Sequence, residues 1–101
     1  MSITVNIHGP IADIILSGGI DYSTQELFRE ANHRALHAPG VREIQVQFAD
    51  VTFIDSSCIR ALLVLQKQAE ERGLSLSLLD CNDSIREIFE IGGFDKMFSL
   101  R

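Results

Sequence analysis

Asp55, Ser56 and Ser57 stand where an apolar, strand-like lead (51–54) runs into a strongly apolar, helix-like stretch. Carboxylate and hydroxyl side chains at a helix start bond the backbone N–H groups that the first turn leaves without carbonyl partners. A helix N-terminus also carries partial positive charge and tolerates added negative charge. Two hydroxyls and a carboxylate at such a mouth can cap the helix, act as a nucleophile, or accept a phosphate.

The nucleophile reading is poorly supplied. A serine between strand and helix is activated within Gly-x-Ser-x-Gly and needs a base. Ile54 and Cys58 occupy the two glycine positions around Ser56, and nothing in the pattern ties His8, His33 or His37 to it. His33 and His37 are four apart, as two metal ligands on a helix would be, but no third ligand has a recognisable spacing. Two solvated histidines near a cation-favouring helix C-terminus are the simpler account. Cys58 invites comparison with a helix-terminus thiol of lowered pKa, but a small packed residue is the simpler account. Gly18-Gly19 lacks the spacing and the lysine of a phosphate-cradling loop. No catalytic residue, metal or cofactor is therefore expected. What is left is a serine at an accessible helix mouth, which suits a kinase. Its phosphorylation would add about −1.5 to −2 charges at pH 7. The helix start would accommodate that charge, and a carboxylate-bearing partner would not.

Composition narrows the partners. The chain has 101 residues, enough for one domain, 1–101, with 46% apolar and 23% charged residues and a formal charge of −5. Phosphate neutralisation dominates nucleic-acid binding, so an acidic chain without a basic cluster argues against that role, and against anionic membrane surfaces. The first eight residues have neither a basic nor a long apolar region, so no secretory leader is expected, and no run reaches transmembrane length. The expected location is cytoplasmic, with Cys58 and Cys81 as reduced thiols. In that compartment Asn82-Asp83-Ser84 reads as a helix cap rather than a glycosylation sequon.

The elements that must position the serines follow from periodicity. Residues 2–8 alternate as a half-buried strand, Gly9-Pro10 is a turn, and 11–16 form a second strand, the two making an antiparallel hairpin that Gly18-Gly19 ends. Ser23-Thr24-Gln25-Glu26 fits a capping box. Its helix runs to about His37, with Leu27, Ala31 and Arg34/Ala35 at helical spacing, until Pro39-Gly40. Residues 43–49 alternate cleanly as a third strand. A second helix runs from about Ser57 to Arg72, and 74–79 form a fourth strand. A third helix, 85–91, closes at Gly92-Gly93, and Phe94, Met97, Phe98 and Leu100 make an apolar tail that packs as a short helix or strand. This order, ββαβαβα plus tail, predicts an α/β fold with a mixed sheet of four to five strands. Polar residues at alternate positions of the third and fourth strands predict helices mainly on one face, with the other partly open to water.

The stretch from Phe53 to Leu63, reading FIDSSCIRALL, resembles the Asp-Ser-Ser-Gly-Leu signature of STAS domains, the family of anti-sigma factor antagonists. Leu16-Ser17-Gly18-Gly19-Ile20-Asp21 is similar to that family's Leu-x-Gly-x-Leu-Asp loop. Glu70-Glu71-Arg72-Gly73 with the leucine strand after it, and the closing segment ending Ile-Gly-Gly-Phe-Asp-Lys-Met-Phe, resemble its second half. The resemblance implies a bacterial signal-transduction module working by partner switching in transcription regulation. The unphosphorylated antagonist binds an anti-sigma factor or related Ser/Thr kinase regulator. Phosphorylation of the serine after the aspartate ends that binding, and a PP2C-type phosphatase restores it. Carried over, the acceptor is Ser56, and Asp21, Asp55, Ser57, Cys58 and Arg60 form the contact surface. Cys58 stands where glycine is commonest in the family and Arg60 where a small residue often sits, and position 58 is expected to be helical. The alternatives are a non-phosphorylated STAS scaffold subunit of a transport or signalling assembly, in which Asp55 and Ser56 only cap a helix, and a small serine hydrolase.

Overall fold

The computed structural model describes residues 2–101. A hairpin of β1 (Ser2–His8) and β2 (Ile11–Ile20) opens the chain. There follow α1 (Gln25–His37), β3 (Glu43–Ile54), α2 (Ser56–Glu71), β4 (Ser75–Leu79), α3 (Asp83–Ile91) and β5 (Ser99–Leu100). The five strands lie in sequence order, β1-β2-β3-β4-β5. Only the hairpin pairs antiparallel, and every later pair is parallel. Three successive parallel crossovers that step the same way across the sheet, with the usual common handedness, put all three helices on one face. The mixed sheet of this α/β fold, and its one-sided helix layer, agree with the alternation of the strands.

Ala12, Ile14, Leu16 and Ile20 of β2 and Ile44, Val46 and Phe48 of β3 turn into the helix layer. They meet Phe28, Ala31, Ala35 and Leu36 of α1, Leu62 and Leu65 of α2, and Phe89 of α3. Phe89 sits edge-on between Phe48 and Phe98, with ring centroids 6.3 and 5.8 Å apart. The opposite face is polar and cross-linked. Asp13 bonds His8 and Gln47, and Arg101 donates to Glu43 and Ser77 at 2.8 Å. Among the described residues no helix is long and apolar enough to cross a membrane.

The structure departs from the expected boundaries in several places. β3 runs on to Ile54, because its period is interrupted rather than ended. Ile15 and Ser17 lie opposite Gln47 and Asp50, and Gly18 and Gly19 opposite Val51 and Phe53. Each step adds one residue to β3, the mark of a bulge. The inward positions therefore shift to Val51 and Ile54. β2 likewise continues through Gly18-Gly19 to Ile20. The capping box at Ser23 does not form. A 3-10 turn, Tyr22–Thr24, precedes α1 and is capped by Asp21, while Glu26 pairs with Arg29 instead. The buried stripe of α1 is Phe28, Ala31, Asn32, Ala35 and Leu36, and Leu27 is 48% exposed. The tail is both a 3-10 turn, Phe94–Lys96, and an edge strand.

Phe89 has no exposed surface and two aromatic neighbours. Phe89→Ala is expected to lower unfolding free energy by about 3–5 kcal/mol. Urea denaturation measures this, and an unchanged midpoint would show that α3 does not seal the core.

Candidate functional site

Parallel pairing brings the site together. Ile20 and Ile54 are partners at the carboxyl ends of β2 and β3, so the next residues, Asp21 and Asp55, are neighbours although far apart in sequence. The Asp55 N–H continues the ladder to the Ile20 carbonyl at 3.3 Å. Each aspartate then starts a helical segment. Asp21 Oδ1 accepts from the N–H and hydroxyl of Ser23 at 2.9 and 2.6 Å. Asp55 Oδ1 accepts from the N–H groups of Ser57 and Cys58, at 2.9 and 3.2 Å, and from the Ser57 hydroxyl at 2.5 Å. Its Oδ2 accepts from the Tyr22 N–H at 3.2 Å. The Asp55 carboxylate thus clamps the loop before α1 to the first turn of α2. The Gln25 side chain adds a second tie, to the Ser57 carbonyl at 3.2 Å.

The two serines are not equivalent. α2 starts at Ser56, one residue earlier than expected, with Asp55 as its N-cap. Ser57 is half-buried and spends its hydroxyl on Asp55. Ser56, at the first helical position, is exposed, and its hydroxyl has no partner among the described residues. Arg60, one turn further on, is exposed and joins no ion pair among the described residues. Two aromatic side chains flank the site that the motif did not single out. Tyr22 is 80% exposed, and Phe53 is 50% exposed. Phe53 lies directly over Gly19, where a Cβ would come within 2.1 Å of the ring. Glycine at 19 is what lets that ring lie flat on β2. Sequence alone does not reveal this, because it is the bulged pairing of β3 with β2 that turns Phe53 outward instead of into the core.

Cys58 is the small packed residue expected, and only its place in the contact surface implied by the resemblance is corrected. It is helical and fully buried, so its side chain cannot touch a partner. Burial, then the nearby Asp55 and Cys81, push its thiol up to about 12, which rules out the activated-thiol reading. Among the described residues no histidine bonds to Ser56. His8 is on the polar sheet face with Asp13. His37 donates from Nδ1 to the His33 carbonyl at 2.9 Å and accepts at Nε2 from Arg72 at 2.8 Å, so both ring nitrogens are occupied.

The hydrogen bond from the Ser57 hydroxyl holds the Asp55 carboxyl below its ordinary value of 3.8 against the opposing effect of burial, and the N–H groups of Cys58, Ser57 and Tyr22 add to the lowering. A lowered folded-state pKa contributes stability above the unfolded value, and that contribution is lost as pH falls through the folded value. Asp55→Ala is expected to cost about 0.5–2 kcal/mol at neutral pH, as loss of an N-cap does. In urea titrations the gap to the wild type narrows as pH drops below 3.8. A gap independent of pH would mean that the ionised carboxylate is not what holds the turn.

The family model described as Mlab, STAS domain, matches residues 3–100. A STAS-domain containing protein of Pseudomonas aeruginosa is 30% identical over 87 residues, covering 86% of this chain and 84% of its own length. An anti-sigma F factor antagonist of Paenibacillus polymyxa is 21% identical over 100 residues, covering 99% and 86%. Among solved structures, the anti-sigma factor antagonist SpoIIAA of Bacillus, known in unphosphorylated and phosphorylated forms, superimposes in each form with a TM-score of 0.76 at 21% identity. The match covers 99% of this chain and 87% or 91% of SpoIIAA. The fold has its counterpart in those structures, and the family model matches nearly the whole chain: this chain belongs to the STAS domain family.

Proposed function

We propose that the chain, acting over 1–101 as one STAS domain, is an anti-sigma factor antagonist worked by phosphorylation-dependent partner switching, with Ser56 as the acceptor. The observation that carries this reading is the difference between the two serines: Ser57 is bonded to Asp55, and the Ser56 hydroxyl is free at the helix mouth. A phosphate on Ser56 would meet the positive end of α2, its own backbone N–H and the Arg60 guanidinium one turn away, so the fold survives it. A partner docked on the same surface would not tolerate it. The unmodified surface comprises Asp21, Asp55, Ser57 and Arg60, with Tyr22 and Phe53 as exposed aromatic anchors of the kind that dominate interfaces. Its partner is an anti-sigma factor or related Ser/Thr kinase regulator, and a PP2C-type phosphatase resets it. SpoIIAA, known in both phosphorylation states, supports the analogy. The chain itself acts as a binding module and kinase substrate rather than an enzyme. Cys58 acts only from behind, by setting how closely α2 packs.

A second reading draws on Asp55. Its bonds to Tyr22, Ser57 and Cys58 are all internal, as in a scaffold subunit where the motif does no more than cap α2. Mass spectrometry after incubation with the cognate kinase separates the two. Phosphate on Ser56, abolished by Ser56→Ala and kept by Ser57→Ala, is the expected result. Ser56→Asp should keep the fold by circular dichroism and weaken partner binding by about tenfold or more, since a like charge in an interface costs several kcal/mol. Phosphate on another residue, or equal binding by both Ser56 variants, would refute the switch.

A further inference from the structure

On the outer side of the helix layer, α1 and α2 enclose a cleft of about 390 Å³. That volume is in the range of small-molecule sites. Its lining is unusual for an acidic chain. Arg29, Arg60 and Arg72 face Glu71 as the one carboxylate, in a protein of formal charge −5. Arg29 is held by Glu26 at 2.8 Å, and Arg72 donates to His37, a neutral acceptor in this arrangement. Arg60 pairs with no carboxylate among the described residues. Leu36 and Val64 supply apolar surface, and Val64 is more than half exposed although it lies on a helix packed into the fold.

The second observation is Asn32. It lines the cleft from the middle of the buried stripe of α1, where Phe28, Ala31, Ala35 and Leu36 are apolar. It is 7% exposed, and its Oδ1 is buried with no hydrogen-bond partner among the described residues. Buried polar atoms are ordinarily satisfied, so an orphan of this kind calls for a reason. A leucine here would complete the stripe and remove the orphan. A residue that breaks the local pattern without gain to the free protein marks a functional position. A half-turn about χ2 lets the same amide present either its oxygen or its NH₂ to a ligand.

We propose that the α1–α2 cleft binds a small organic anion. Its oxyanion, a carboxylate or a phosphate monoester, is held by Arg60. Its apolar body lies against Leu36 and Val64, and a polar group pairs with the Asn32 amide. The planar guanidinium fork suits both oxyanions, and Arg60 is tied to no carboxylate among the described residues. This site does not rest on Ser56 being a phosphate acceptor, and a phosphate there would compete with the ligand for Arg60.

The test is a titration of the isotopically labelled full chain, followed by backbone amide shifts. The probes are 4-hydroxyphenylacetate and phenyl phosphate, which carry the two oxyanions on an apolar ring. Tyrosol, the neutral alcohol, and inorganic phosphate, which has no apolar body, are the comparisons. At least one ring-bearing anion is expected to saturate shifts at Asn32, Leu36, Arg60 and Val64 with Kd of about 1 mM or tighter. Which one does so assigns the oxyanion. Tyrosol and inorganic phosphate should bind about tenfold more weakly. Arg60→Gln, an exposed and fold-neutral change, should weaken the probe about tenfold. Asn32→Leu should weaken it too while raising the melting temperature of the free protein by about 4–8 °C. Shifts from neither anion, shifts centred elsewhere, equal binding of tyrosol, or an Arg60→Gln variant that binds unchanged would each overturn the site. A lower melting temperature for Asn32→Leu would overturn the role given to Asn32.

Discussion

Parallel strands have no tight turn to set their register, so hydrogen bonds and side-chain fit must hold it. In this chain the β2–β3 ladder is that constraint. It ends with Ile20 beside Ile54, and the next peptide, Asp55 N–H to Ile20 carbonyl, extends it by one bond. Everything at the functional edge depends on that alignment. Asp21 and Asp55 emerge side by side, α1 and α2 start from the same edge, and the Asp55 carboxylate reaches across to Tyr22. A slip of one residue would turn the inward side chains outward. It would also part the two aspartates. The glycines of β2 serve this alignment, because Phe53 on bulged β3 needs the bare surface of Gly19 to lie on.

The same constraint explains what could and could not be read from the residues. Alternation exposed the strands, and polar residues at every second position of β3 and β4 correctly foretold a sheet with one open face. Boundaries failed wherever tertiary pairing overrode local pattern. After Phe48 the period of β3 breaks, which in isolation resembles a strand end. Only the partner strand reveals two inserted residues. Ser23 and Glu26 have the spacing of a capping box, yet Asp21 sits closer to the turn and takes the Ser23 N–H first. A one-dimensional pattern cannot rank two competing caps whose geometry depends on how β2 exits the sheet.

The site shows a similar division. The grouping of Asp55, Ser56 and Ser57 was legible, as was Asp21 as a neighbour once the loop was matched to a family pattern. The roles within the group were not readable from residue type, because either serine can cap a helix. The structure separates them by position: Asp55 is the cap, Ser57 its bonded partner, and Ser56 the free hydroxyl. Cys58 read correctly as a packed residue by itself, but was carried into the contact surface because a glycine in the family pattern has no side chain whose direction could be inferred. At the third position of α2 that direction is inward, into the core. Asn32 was passed over among the residues of α1. Its signal is a polar side chain inside an i, i+3, i+4 apolar stripe, visible only when the stripe is drawn through Phe28 rather than the exposed Leu27.

A module that takes up and loses charge at one edge needs that edge to be stiff before the charge arrives. Here stiffness comes from neutral donors around one carboxylate, not from an ion pair. Three backbone N–H groups and a hydroxyl surround Asp55, and the ion pairs of the described residues all lie elsewhere. An ion pair at this place would compete with any added anion for its cation. N–H donors committed to Asp55 leave Arg60 and the first N–H of α2 uncommitted. The helix layer contributes in the same sense. Because it packs on one face of the sheet, both helix starts open to solvent at the carboxyl edge, where partial positive charge gathers. The turn can therefore gain negative charge without rearranging the core, and the change is felt on the surface, among Tyr22, Phe53 and Arg60.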